Sequence, residues 1–168
     1  GGVGKTTLAA LLSQAYADAG RNVLAADADP SPCLAGALGF PAELRARHQL
    51  VLFCRLVDEQ RRELEEIADE AGVADRVIIT GFVPDDLLVQ LYQTAELVMF
   101  ATFYEGFGLP VLEARRCGAR VICSDSSSLP EVMPDPRGRF DPFDPEATTA
   151  ALLRGLTDVE HAAALDRV

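Results

Sequence analysis

The chain has 168 residues, 49% hydrophobic and 24% charged, with a formal net charge of −11. That is enough chain for one domain with its own core, and the composition is globular, so disorder is not the default reading. The acidic balance excludes the basic footprint that nucleic acid requires, yet allows a small phosphorylated ligand held by local amides and helix ends.

Apolar runs alternate with helical patterns from end to end, the signature of βα units on a mostly parallel sheet. The fold class expected is therefore α/β, a Rossmann-like three-layer sandwich with helices on both faces. In chain order, a helix is predicted over Thr6 to Ala19, stopped by Gly20, then a buried strand over Asn22 to Ala26. Asp27 to Pro32 reads as a loop and Leu34 to Leu38 as a short helix. Residues 41–49 change in vocabulary and read as a junction between a front segment, 1–40, and a main segment, 50–168.

The main segment opens with a strand over Leu50 to Cys54. Asp58 is placed to cap a helix running to Ala71, with Leu64, Ile67 and Ala68 on one face. Strands follow at Val77 to Thr80, Leu97 to Ala101 and Val121 to Ser124. Helices are predicted at Asp85 to Gln93, Pro110 to Arg116, Pro145 to Leu156 and, more weakly patterned, Val159 to Arg167. Cys33, Cys54, Cys117 and Cys123 lack C-x2-C spacing and read as small buried side chains in a reducing compartment. His48 and His161 stand alone and predict no metal site. No stretch approaches ~20 apolar residues and no signal sequence is visible, so a cytoplasmic location without a transmembrane segment is expected.

Gly1-Gly2-Val3-Gly4-Lys5-Thr6-Thr7 carries the end of a P-loop directly ahead of a helix. Amides around Gly2 and Gly4, with Lys5 and Thr7, would cradle phosphates, and Thr6 with Asp27 would hold Mg²⁺ if ATP binds. This wording, followed by Val23-Leu24-Ala25-Ala26-Asp27-Ala28-Asp29-Pro30, resembles the ParA/MinD/CooC group of P-loop ATPases over residues 1–40. The resemblance implies an ATP-dependent switch with Mg-ATP as cofactor. The leading strand and the Walker B element of that group have no counterpart in the sequence. The plainer reading of the same stretch is a βα unit covering one edge of the sheet.

The string Phe103-Tyr104-Glu105-Gly106-Phe107-Gly108-Leu109-Pro110-Val111-Leu112-Glu113 follows the strand Leu97 to Ala101. It therefore lies at the carboxyl end of a parallel strand, where open α/β sheets take their ligands. Gly106 and Gly108 permit close backbone approach, and the start of the next helix offers amides to a diphosphate. Glu113, one turn into that helix, can accept two hydroxyl hydrogen bonds, as a ribose offers.

These residues resemble the Glu-x7-Glu motif of retaining GT-B glycosyltransferases of family 4. Ala74-Asp75-Arg76-Val77, Gly81-Phe82-Val83-Pro84, Cys117-Gly118-Ala119, Ser126-Ser127-Ser128-Leu129-Pro130-Glu131-Val132 and Asp141-Pro142-Phe143-Asp144-Pro145-Glu146 extend the resemblance over residues 48–156. It implies a nucleotide-sugar-binding domain without a required cofactor. Glu105 would be the catalytic residue, contacting the donor sugar. Amides near Gly106, Phe107, Gly108 and Leu109 would meet sugar and β-phosphate. Glu113 would hold the ribose, and Phe82 and Val83 the base. The donor would be UDP- or GDP-linked. The family's Arg and Lys and its N-terminal acceptor domain have no counterpart here. The resemblance therefore implies a chimera-like chain, weak in catalysis, that lacks an N-terminal domain or pairs with a second copy. An inert α/β fragment is the remaining alternative.

Overall fold

The computed structural model describes the backbone of residues 22–28 and, with side chains, residues 47–53, 56–158, 160 and 165. The strands are β1 (Asn22–Ala28), β2 (His48–Leu52), β3 (Val77–Ile79), β4 (Leu97–Ala101), β5 (Val121–Ser124) and β6 (Arg139–Phe140). They form one sheet in the order β3-β2-β1-β4-β5-β6, and every neighbouring pair is parallel. The α-helices among the described residues are α1 (Asp58–Glu70), α2 (Asp85–Thr94), α3 (Leu109–Arg116), α4 (Leu129–Val132) and α5 (Pro145–Thr157).

Side-chain alternation along the strands builds two apolar layers. Leu50, Leu52, Leu97, Met99, Ala101 and Ile122 face one side, against Leu64 and Ala68 of α1 and Ala151 and Leu152 of α5. Val51, Val98, Phe100, Val121 and Cys123 face the other, against Leu91 of α2, Val111 and Ala114 of α3, and Leu129 and Val132 of α4. Both faces of β2, β4 and β5 are buried, which is why Leu50–Leu52, Leu97–Ala101 and Val121–Cys123 run apolar without a polar alternate. Gly155 lets α5 approach β4 closely: a Cβ there would stand 2.9 Å from Leu97 Cδ2. The sandwich expected from the sequence is thus formed, with helices on both faces.

Several boundaries differ from the sequence reading. β1 continues through Asp27 and Ala28, which the Asp/Pro pattern assigns to a loop. Two further residues, His48 and Gln49, belong to β2 rather than to the junction, and both are buried. His48 Nε2 lies 3.2 Å from Glu96 Oε2, so a charged neighbour accompanies its burial at the amino end of β2. Helix α1 is preceded by Val57, not capped by Asp58; the Val57 N–H donates to the Gln60 side chain at 3.1 Å.

The front segment shows the largest difference. A unit covering one edge would leave the sheet's centre to the main segment. Instead β1 lies between β2 and β4, in register from Asn22 opposite His48 and from Leu24 opposite Leu97. The helices predicted at Thr6 to Ala19 and Leu34 to Leu38 lie outside the described residues, as does most of Val159 to Arg167. No helix among the described residues is long and apolar enough to cross a membrane.

Candidate functional site

The strand order reverses direction between β1 and β4. Connections to one side build β2 and β3, and those to the other build β5 and β6. At such a switch point the loops leaving the strands' carboxyl ends diverge and open a crevice, the usual ligand position in this architecture. Ala28 pairs with Ala101 at that end. The loop after β4 carries Glu105 and leads into α3, so the sequence-predicted acid and helix mouth lie beside the switch point.

Gly108 fixes the geometry of the mouth. Its φ of +87° is left-handed, and a Cβ there would lie 2.7 Å from Leu129 Cδ2 and 3.0 Å from Val132 Cγ2. Only glycine satisfies both the dihedral and the packing. Gly106 differs, because a Cβ on it would meet nothing within 4 Å among the described residues. Packing among the described residues therefore does not demand a glycine at 106.

The mouth of α3 is not sealed by packing: Phe107 and Leu109 are 55% and 57% exposed, and Gly106 is exposed too. Pro110 has no N–H, and the Val111 N–H donates back to the Gly108 carbonyl at 3.1 Å. The Gly106 N–H donates to Glu105's own Oε1 at 3.0 Å. Of the amides expected to meet sugar and phosphate, that of Gly106 is therefore engaged by the neighbouring acid. Those of Phe107, Gly108 and Leu109 belong to the turn that enters the helix. Glu113 is exposed on α3, four residues after Leu109.

Hydroxyl groups from the end of β5 and the loop after it hold the loop after β4. The Thr102 N–H donates to Ser124 Oγ at 2.9 Å, and the Ser126 hydroxyl donates to the Thr102 carbonyl at 3.1 Å. The Glu105 N–H donates to Ser127 Oγ at 2.9 Å, and the Ser128 hydroxyl donates to the Glu105 carbonyl at 2.9 Å. Sequence reasoning notes Ser126, Ser127 and Ser128 as part of a motif and gives them no role.

Phe82 and Val83 follow β3 on the same carboxyl edge, Phe82 59% exposed and Val83 half-buried. Arg61 of α1 donates through Nη1 to the Ile79 carbonyl at 3.1 Å, placing a cation beside Gly81 that sequence reasoning did not single out. The P-loop residues Gly2, Gly4, Lys5, Thr6 and Thr7 lie outside the described residues. Asp27 lies on β1, with only its backbone described, so a Mg²⁺ site formed by Thr6 and Asp27 also falls outside them. Among the described residues, no group of three or more His, Cys, Asp or Glu is arranged to hold a metal ion.

Comparison with known proteins adds to this geometry. The chain is 40% identical over 119 residues to the serotype-specific mannosyltransferase WbdA of Escherichia coli, covering 70% of this chain and 15% of that protein. It is 40% identical over 120 residues to the O-antigen chain mannosyltransferase B of Escherichia coli, covering 70% of this chain and 31% of that one. The chain thus spans under a third of the length of these relatives. The crystal structure of HepE from Anabaena in complex with UDP and glucose superposes with a TM-score of 0.78 at 19% identity, over 94% of this chain and 44% of that one. Sucrose-phosphate synthase from Thermosynechococcus elongatus gives a TM-score of 0.73 at 24% identity, over 91% and 42%. At these identities the structural likeness speaks for the fold. The P-loop ATPase resemblance of residues 1–40 gains no support from these comparisons. The family model for glycosyl transferases group 1 matches residues 39–167, and the chain belongs to that family.

Proposed function

We propose that this chain carries the donor-binding half of a retaining glycosyltransferase that takes a nucleoside-diphosphate hexose, with mannose as the first sugar to test. The observation that carries this reading is the position of the Glu105-to-Gly108 turn, which meets the open mouth of α3 beside the switch point of the sheet. Phe107, Gly108 and Leu109 supply amides for the diphosphate, and the helix end adds a partial positive charge. Glu113 accepts the ribose hydroxyls and Glu105 the sugar hydroxyls.

Phe82 and Val83 receive the base. Their strand stands three places from β4 in the sheet, roughly 14 Å at the usual strand spacing, a reach suited to an extended nucleotide sugar. Transfer would break the bond between the anomeric carbon and the diphosphate and form one to an acceptor hydroxyl on the same face. Charge gathering on the departing diphosphate is what the amides would stabilise. The mannosyl assignment is supported by the names of the relatives that share 40% of aligned positions.

The test is calorimetric titration of the chain with GDP-mannose, UDP-glucose and Mg-ATP. One of the sugar nucleotides is expected to bind, and Glu113→Ala to weaken it about tenfold or more, since a carboxylate loses two hydroxyl partners. Silence with both sugar nucleotides at millimolar concentration overturns the reading. Binding of Mg-ATP that Lys5→Ala abolishes and Glu113→Ala leaves intact would favour an ATPase-like front segment instead.

A further inference from the structure

Glu105 is gripped through its backbone at both ends by two consecutive serines from a loop 22 residues away. Ser127 accepts from its N–H at 2.9 Å, and Ser128 donates to its carbonyl at 2.9 Å. Ser127 makes this contact from a left-handed backbone conformation, φ +47°, unique to it among the described non-glycine residues. Left-handed geometry strains any side chain, so the fold favours glycine there on backbone grounds alone. Serine at this strained position puts a hydroxyl under the Glu105 amide, which glycine would not.

We infer that Ser127, assisted by Ser128, is a positioning residue that sets where the Glu105 carboxylate stands relative to the mouth of α3. The inference rests on the donor-binding reading above and deepens it. With the peptide planes on either side of Glu105 fixed, the carboxylate has few places to go. In the structure it reaches the Gly106 amide, 3.0 Å away. A displacement of the anchoring peptide by a fraction of an ångström moves the carboxylate by a similar amount, enough to weaken a preorganised contact. The Ser127 hydroxyl meets Glu105 rather than Gly108, whose space is bounded by Leu129 and Val132. Loss of the serine grip is thus expected to loosen the acid without disturbing the phosphate amides.

Ser127→Gly and Ser127→Asn separate position from stability. Glycine relieves the left-handed strain and deletes the acceptor; asparagine tolerates the strain and returns a side-chain oxygen. Thermal unfolding, amide hydrogen exchange at Glu105 and titration with the sugar nucleotide that the wild type binds are measured for wild type, both variants and Glu105→Ala. Ser127→Gly is expected to unfold no earlier than wild type, lose protection at the Glu105 amide and bind about fivefold to tenfold more weakly, the worth of one hydrogen bond. Ser127→Asn is expected to recover most of the protection and affinity. Should Glu105→Ala weaken binding while Ser127→Gly leaves it unchanged, the positioning role is wrong and the donor site stands. Should Glu105→Ala itself bind like wild type, Glu105 has no part in donor binding and the positioning role falls with it.

Discussion

Two residues carry consequences that a single substitution exposes. Gly108 combines a φ of +87° with a methyl-sized gap already filled by Leu129 and Val132. Gly108→Ala adds left-handed strain to overpacking, each worth roughly 1–3 kcal/mol, so a loss of about 3 kcal/mol is expected in urea unfolding. Gly106→Ala, by contrast, should cost little stability and act on donor affinity, since none of the described residues opposes a Cβ there. Equal stability losses at both glycines would contradict the packing. Cys123 is the second residue. Burial pushes its thiol from 9.0 up to about 12, Asp125 adding to the shift and Arg139 and Arg115 opposing it. In the unfolded chain this thiol gives up its proton from about pH 9, while the folded chain retains it. The unfolded state then binds fewer protons, so the stabilising effect is complete below pH 9 and declines as pH rises toward 12. One such group contributes a slope of about 1.4 kcal/mol per pH unit in that window. Urea unfolding at pH 8 and 10.5 should therefore show a steeper alkaline decline for wild type than for Cys123→Ala; parallel declines would remove Cys123 as the cause.

At the scale of elements, helix α5 shows what local chemistry alone specifies. Asp144 Oδ1 accepts the Glu146 N–H at 2.9 Å and the Ala147 N–H at 3.2 Å, and Pro145 occupies the first turn. Asp144→Ala should cost about 1 kcal/mol, read as a fall in urea midpoint without a change in slope, because a cap is lost and no core is opened. Segments of this kind were legible before any coordinates. Leu97–Ala101 and Val121–Ser124 match the strands read from their apolar runs, and α3 differs from its predicted start by one residue. The two-residue β6 and the four-residue α4 were not legible, because neither is long enough to show a period. That limit reached into the site. Glu105, Gly108 and Glu113 stood out by spacing, but the demand on Gly108 comes from Leu129 and Val132 in the unread α4. The hydroxyl of Ser127 meets Glu105 only because β4 and β5 are neighbours, a fact of topology that no local pattern contains.

At the scale of the whole molecule, the decisive fact is that the front segment supplies a central strand. β1 pairs β2 on one side and β4 on the other, so its backbone closes the sheet between the half that carries Phe82 and the half that carries Glu105. Without it, β2 and β4 lose the hydrogen-bond partners along one side of each strand, and buried backbone groups without partners are costly. The remainder would be a two-stranded piece, β3-β2, and a three-stranded piece, β4-β5-β6, and a two-stranded sheet is marginal by itself. A chain beginning at Arg47 retains nearly all of the family match, residues 39–167, and all of the proposed donor-binding residues. With β1 central, that shortened chain is expected to unfold without a cooperative transition and not to bind a sugar nucleotide. If β1 were instead dispensable cover, the shortened chain would melt and bind like the full one. Circular dichroism melting together with the same titration decides between the two. A shortened chain that folds and binds as well as the parent would show that β2 and β4 find another way to meet.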